Sequence, residues 1–275
     1  MKTRLPAEAN VEIQATISME ELEMSVRQGK SARSQKRQGT TESVMSSSKT
    51  IRHDLLQIVN DMFVGEAISE SQKHGIFLCV PKKRQPNWPE DYKALTLLNA
   101  EFKILSRILA NTLKKCTKDL LHSSQHRGIV DNNIFGALAA IRETTAHVEM
   151  TNSPTCLLTL DFAEAFDKIA HMYLFKVLEH CGFSPNFLTR LKKLYTNATP
   201  SVQVNGHISL PIDIRSGIRQ GCPLSMLLFT ICIKPFLCML DMMLHENKHT
   251  VGRGTHNVVA YADDVRSFCT LQTTY

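Results

Sequence analysis

No pair of cysteines in this chain stands two residues apart, so the sequence carries no C-x-x-C zinc knuckle and no dithiol redox motif. The eight cysteines, at 79, 116, 156, 181, 222, 232, 238 and 269, fall mostly in apolar runs such as Leu78-Cys79-Val80 and Ile231-Cys232-Ile233. They are expected to be reduced core residues of an intracellular protein, in the nucleus or the cytoplasm. The N-terminus, MKTRLPAEAN, has no apolar stretch of the kind a signal peptide needs. No apolar run is free of charge over a bilayer's width. The most apolar segment, Leu224 to Leu244, is broken by Lys234, Pro235 and Asp241, which predicts a buried helix and no membrane span. There is no internal repeat. Neither sign of charge dominates: the net charge is +6 and the pI about 8.9. That mild excess suits a polyanionic partner and suits an ordinary soluble protein equally well.

The 275 residues have an apolar fraction of 43%, enough for a sizeable core. Residues 1–50 are polar and are expected to form a flexible arm, with one short helix near its start. Ser18 with Glu21 three residues on has capping-box spacing. From residue 51 to 275 the pattern tightens. Leu55, Leu56, Val59, Met62 and Phe63 recur at helical spacing. Ile76 to Val80 predicts a buried strand stopped by Pro81. Leu98, Phe102, Leu105, Leu109 and Leu113 mark one helix face, with Lys103, Arg107 and Asn111 opposite. Cys156 to Leu160 predicts a second buried strand ending at Asp161. Helices are expected near 172–181 and 185–197. Asn205-Gly206 between two alternating runs is a strong hairpin signal. Pro223 opens a long apolar helix. Val258 to Tyr261 and Val265 onward flank a tight acidic turn.

Asp161 and the Asp263-Asp264 pair are 102 residues apart in the chain, so only the fold can unite them. If their strands are neighbours in one sheet, three carboxylates meet at its edge. They would repel one another, and a divalent cation would remove the conflict. Magnesium takes oxygen ligands and commonly uses a few carboxylates plus substrate phosphates. Asp-Asp is also good turn chemistry, so the pair by itself fits either reading.

The neighbouring segments add to this. Leu160-Asp161-Phe162-Ala163-Glu164-Ala165-Phe166-Asp167, then Arg219-Gln220-Gly221-Cys222-Pro223-Leu224-Ser225, then Tyr261-Ala262-Asp263-Asp264 resemble, in order and spacing, the catalytic motifs of reverse transcriptases of non-LTR (LINE-like) retrotransposons. Val80-Pro81-Lys82-Lys83 and Asp91 to Asn99 resemble the fingers motif, and Gln125 to Phe135 the segment after it. The resemblance runs from about residue 50 to 270. It implies an α+β right-hand polymerase palm, an antiparallel sheet packed on helices, with helical fingers and the thumb missing. It implies an RNA-directed DNA polymerase that adds deoxynucleotides to a DNA or RNA primer on an RNA template. Asp161, Asp263 and Asp264, with the Phe162 backbone carbonyl, would hold two Mg2+ ions, with Mn2+ as a substitute. Phe166 matches the bulky residue beneath the sugar; as a bare residue it reads as a core aromatic. Arg219, Gln220 and Gly221 match the segment contacting nucleotide and template. Lys82, Lys83 and Lys93 would lie near the triphosphate, or form a solvated basic face.

Three places depart from the family's pattern. Lys93-Ala94 stands where Arg-Pro is usual, which loses a bidentate fork. Val130-Asp131-Asn132 replaces a Pro-Gly-Arg-like loop, and Gln35 to Gly39 keeps only the last glycine of an N-terminal motif. Eleven residues follow the Asp pair, so the chain is expected to be part of a larger element polyprotein. The alternative is a degraded copy that binds nucleic acid without polymerising. A rival from another class is His245-Glu246-Asn247-Lys248-His249, which matches the H-E-x-x-H of zinc proteases. Gly252 follows at metzincin spacing, but His256 is one residue late and no methionine follows Met243. No zinc site is expected.

Overall fold

A computed structural model of the 275-residue chain describes residues 4–31, 49–64, 69, 73–129, 132–195, 199–244, 250–251, 254–255 and 257–270. Helices α1 (Ala7–Gln14), α2 (Met19–Ser31) and α3 (Lys49–Val64) precede the hairpin β1 (Gly75–Pro81) and β2 (Tyr92–Leu98), part of a four-stranded sheet, and pack with α4 (Ala100–Lys114), which follows it. Next come α5 (Thr117–Leu120), α6 (Ile134–Thr151) and β3 (Thr155–Leu160). They are followed by α7 (His171–His180), α8 (Pro185–Tyr195), β4 (Ser201–Val204), β5 (His207–Ile208) and α9 (Ser225–Met243). Two short strands, β6 (Thr250–Val251) and β7 (Gly254–Thr255), pair with each other before β8 (Val258–Tyr261) and β9 (Asp264–Thr270). The first sheet has the order β2-β1-β4-β5, and the central sheet β3-β9-β8.

The N-terminal residues are less loose than their polarity predicts. Ser18 and Glu21 form the reciprocal capping box: Glu21 N–H donates to Ser18 Oγ at 3.2 Å, and Ser18 N–H to Glu21 Oε2 at 3.0 Å. Leu5, Ile17, Leu22 and Val26 are buried in the main core. These four side chains seat α1 and α2 on the rest of the protein; residues 32–48, with Gln35 to Gly39, lie outside the described residues. Two residues of the polar face of α4 do the fastening. Arg107 Nη1 donates to the Ser25 carbonyl at 2.8 Å, and Asn111 Nδ2 to Gln28 Oε1 at 2.9 Å.

The main core lies among α4, α7, α8 and α9. Phe102, Leu105, Leu113, Leu174, Leu178, Phe187 and Leu191 are almost wholly enclosed there, each contributing about 1.5–3 kcal/mol by burial. By length and composition α9 could cross a bilayer, yet half of its apolar window is buried inside the protein. Lys234 on α9 is buried too and donates from Nζ to the Leu120 carbonyl at 2.6 Å, satisfying the end of α5. This is the core helix the sequence predicts.

Two strands differ from expectation. β1 is buried only at Gly75, and Cys79 and Val80 are exposed. β3 is the edge of the central sheet, with Leu157 and Leu158 about 46% and 45% exposed. Cys156 is exposed and Cys238 and Cys269 are partly so; only Cys116, Cys181, Cys222 and Cys232 are core thiols, and all eight are free. The hairpin β4–β5 forms as predicted, with Asn205 and Gly206 both at positive φ (51° and 82°). A two-residue turn of that twist requires it.

Candidate active site

The central sheet sets the site. β3 pairs antiparallel with β9, Leu160 opposite Val265, and β8 pairs with β9, Tyr261 opposite Asp264. Asp161 follows β3 at the end where β9 begins, so Asp161, Asp263 and Asp264 reach one end of one sheet. Asp161 and Asp264 are exposed and Asp263 is half-buried. Among the described residues, no three Asp, Glu, His or Cys side chains are gathered closely enough to hold an ion. The sheet thus aligns the three carboxylates without drawing them into a coordinating cluster. As a donor set they are all oxygen, which fits magnesium or manganese and not zinc. Phe162, whose carbonyl is the fourth candidate ligand, has its ring edge-on to Phe236 at 5.5 Å.

The segment after Asp161 is built tightly. Glu164 has a positive φ of 54° and its carbonyl accepts from Asp167 N–H at 2.9 Å. Phe166 stacks on Phe229 of α9 at 4.4 Å, and its carbonyl accepts from Ile218 N–H at 2.8 Å. Gln220 Nε2 donates to Asp167 Oδ2 at 2.9 Å. Burial pushes the Asp167 carboxyl above the usual range, against the bond from Gln220. Asp167 directly follows Phe166 and closes the first motif, but nothing local in the sequence points to its bond with Gln220. A cavity of about 370 Å³ lies behind this bond, between the β1–β2 hairpin and residues 214–220, with Thr96, Asp167, Tyr195 and Gly217 in its wall.

Arg219 and Gly221 have structural partners of their own. The Arg219 guanidinium lies over the Phe102 ring at 5.0 Å and is about 8% exposed, with neither terminal nitrogen hydrogen-bonded. Burial lowers its basicity. It is enclosed, not presented at the aspartate end. Gly221 has φ +107°, and a Cβ there would stand 2.8 Å from the Thr96 carbonyl oxygen. Thr96 N–H in turn donates to the Gln220 carbonyl at 2.8 Å, which fastens β2 to this loop.

The three fingers lysines are exposed, but two are engaged. Lys83 Nζ stands 2.9 Å from Asp91 Oδ2, and Lys82 Nζ donates to the Glu90 carbonyl at 2.9 Å. Asp91 also accepts from Asn87 N–H and Trp88 N–H at 2.9 and 3.0 Å. The Lys83 bond and these two amides hold its carboxyl at about 2, below the ordinary 3.8. A carboxyl depressed in the fold favours the folded loop above the unfolded value and loses that contribution as pH falls through the folded one. A carbon-detected NMR titration of Asp91 is therefore expected to give a midpoint near 2, and a midpoint near 3.8 would dissolve the loop closure. Lys93 and Lys82 both act on the Asp167 carboxyl through their charge, which puts these two lysines on the same side of the site.

The turn carrying Asp263 has a support that the sequence reading also missed. Gln125 is fully buried and holds Ala262 by both backbone groups, from a position 137 residues away. Glutamine in a short polar stretch gives no sign of such a partner. Val130 and Asp131 lie outside the described residues, as do His245 to His249, Gly252 and His256 of the zinc-protease pattern.

An antiparallel acidic hairpin beside a strand ending in aspartate, backed by α6 and α9, is a polymerase palm. The chain resembles apo telomerase from Candida Tropicalis, truncated from its C-terminal domain, with a TM-score of 0.51 at 11% identity, over 80% of this chain and 49% of that one. At that identity the likeness concerns the fold. The chain belongs to the reverse transcriptase (RNA-dependent DNA polymerase) family, whose model matches residues 80–274. It is 29% identical over 221 residues to the transposon TX1 uncharacterized 149 kDa protein of Xenopus laevis, over 78% of this chain and 16% of that protein. It is 26% identical over 189 residues to a retrovirus-related Pol polyprotein from the type-1 retrotransposable element R2 of Popillia japonica, over 68% of this chain and 26% of that polyprotein. The chain therefore spans about a quarter of the R2 polyprotein's length and about a sixth of the TX1 protein's.

Proposed function

We propose that this chain is the polymerising segment of a longer non-LTR retrotransposon polyprotein. In this reading it adds deoxynucleotides to a primer 3′-hydroxyl along an RNA template. The observation that carries the reading is the β3–β9–β8 register, which puts Asp161 and the Asp263-Asp264 turn at one end of one sheet. Asp161, Asp263, Asp264 and the Phe162 carbonyl are the residues that would hold two magnesium ions. Bound there, such ions activate the attacking hydroxyl and stabilise the leaving oxygen of a phosphoryl displacement.

The chain's own groups do the rest. Phe166, fixed by Phe229, limits the space beneath the sugar and favours a deoxyribose. Gln220 and Gly221 form the rim that meets the nucleotide and template, with Gln220 oriented by Asp167. Lys93 faces the triphosphate; Lys82 and Lys83 join it on leaving the Glu90 carbonyl and Asp91. Arg219 keeps the loop seated on Phe102. Basic side chains position the duplex through its phosphates, and base pairing supplies the sequence.

The test is primer extension on a primed RNA template with deoxynucleotides and Mg2+, beside Asp263→Ala. Losing one ligand of a metal site that supplies several kcal/mol of barrier lowering is expected to cost on the order of 10³-fold in rate. No extension by the unsubstituted chain would leave a nucleic-acid binder that does not polymerise. Extension that survives Asp263→Ala would remove the site assignment.

A further inference from the structure

Ala262 has φ +57°, a left-handed conformation that a residue with a Cβ keeps only when its surroundings impose it. The two-residue turn between paired Tyr261 and Asp264 calls for such a φ at its first position, and one side chain grips both backbone groups of the residue that adopts it. Gln125 Oε1 accepts from Ala262 N–H at 2.9 Å, and Gln125 Nε2 donates to the Ala262 carbonyl at 3.2 Å. A flipped amide would set its NH2 against the Ala262 N–H, so both bonds are made in one orientation only. Arg127 N–H adds a third bond to Gln125 Oε1 at 3.0 Å and fixes the amide further. Gln125 is 0% exposed, so water does not substitute for it.

The backbone on either side is anchored separately. Ala260 N–H donates to the Ser124 carbonyl and His126 N–H to the Ala260 carbonyl, each at 2.8 Å, so residues 124–126 run beside β8. Arg127 then reaches the Tyr261 hydroxyl at 2.7 Å. Strand β8 is thus held without the Gln125 side chain, and the amide's particular object is the turn at Ala262, the residue before Asp263.

We propose that Gln125 is a positioning residue for the acidic turn: its amide clamps both backbone groups of Ala262 and so holds the turn in the orientation that aims the Asp263 and Asp264 carboxylates at the reacting centre. The proposal rests on the polymerase reading. Gln125 touches neither nucleotide nor metal and acts through Ala262 alone. A leucine at 125 fills the same space and supplies no hydrogen bond, so the turn keeps only its hairpin geometry and Asp263 is no longer held to one position. A displacement of about 1 Å at a reacting centre costs roughly 10²-fold.

The test compares the unsubstituted chain, Gln125→Leu and Gln125→Asn, whose shorter side chain reaches at most one Ala262 group. Steady-state extension, template–primer affinity by anisotropy, the Mg2+ concentration for half-maximal rate and amide hydrogen exchange are measured. The expected result for Gln125→Leu is a kcat about 10²-fold lower and a several-fold higher half-activating Mg2+ concentration, following the cost of misplacement above. The deoxynucleotide KM and template–primer Kd stay within about twofold, Gln125→Asn falls between, and the Ala262 amide loses protection while β9 keeps it. Unchanged kcat in Gln125→Leu overturns the proposal. So does a kcat loss matched by equal losses in Kd and in β9 protection, which marks a folding role. If the unsubstituted chain extends no primer, the polymerase reading falls first; Ala262 protection that is the same in all three chains then overturns the clamp independently.

Discussion

Gly221→Ala is expected to destabilise the fold by about 3 kcal/mol, seen as a fall of roughly 6–12 °C in Tm for a chain of this size. Two costs combine. At φ +107° a residue with a Cβ is strained by about 1–3 kcal/mol. The new Cβ would also stand 2.8 Å from the Thr96 carbonyl oxygen. That oxygen cannot retreat as a side-chain tip would, because Thr96 N–H is bonded to the Gln220 carbonyl at 2.8 Å and the strand moves with it. Gly206→Ala is the matched control. Gly206 has φ +82° and nothing within 4 Å of the added Cβ, so only the strain remains, at about 1 kcal/mol. Equal losses at the two glycines would show that β2 yields and that the close approach at Thr96 is not a constraint. Because Gly221 adjoins Gln220, the larger loss is expected to carry the Gln220–Asp167 bond with it.

The glycine at 221 illustrates what a sequence can and cannot give. Its motif makes close approach to a ligand a natural expectation, and the left-handed backbone is consistent with that. The structure adds a second reason internal to the chain, the Thr96 carbonyl, which no spacing rule connects to a residue 125 positions later. The same holds for Gln125 and Ala262, and for Gln220 and Asp167. Hydrogen bonds between distant polar side chains leave no periodic trace.

Periodicity worked where burial has one face. α7, α8 and the β8–β9 hairpin appear where the apolar pattern puts them, and the capping box at Ser18 names its helix. It misled on exposure. Cys156 to Leu160 and Ile76 to Val80 are continuous apolar runs, which fit a strand covered on both faces. Yet β3 is a sheet edge, and β1 is covered mainly at its start. Composition gave no sign that Arg107 and Asn111 on α4 would bond to Ser25 and Gln28 of the polar helix α2. A polar residue reads as surface until its partner is seen. The aspartates were legible because a strand end, a turn and a motif order all pointed to them, and the β3–β9 register then did what no linear reading could.

Asp161→Asn is expected to abolish extension by on the order of 10³-fold or more, and to leave the cation-free protein as stable as before or slightly more so. Asp161 is exposed, and neither Asp161 nor Asp264 has an ion-pair partner among the described residues, so removing one negative charge from this end of the sheet breaks no contact and relieves like-charge repulsion. The discriminating measurement is Tm against added Mg2+ or Mn2+. A ligand that binds only the folded state stabilises it by RT ln(1 + [L]/Kd), about 2.7 kcal/mol at a hundredfold excess over Kd. The unsubstituted chain is expected to gain this rise and Asp161→Asn to lose it. Residues acting as one unit are non-additive when removed, so Asp161→Asn with Asp264→Asn should lose little more activity than either alone. Additive losses, or a divalent-induced rise that persists in the double substitution, would mean that the aspartates act separately and that the ions bind elsewhere. Sheet register would then align three carboxylates without making them one site.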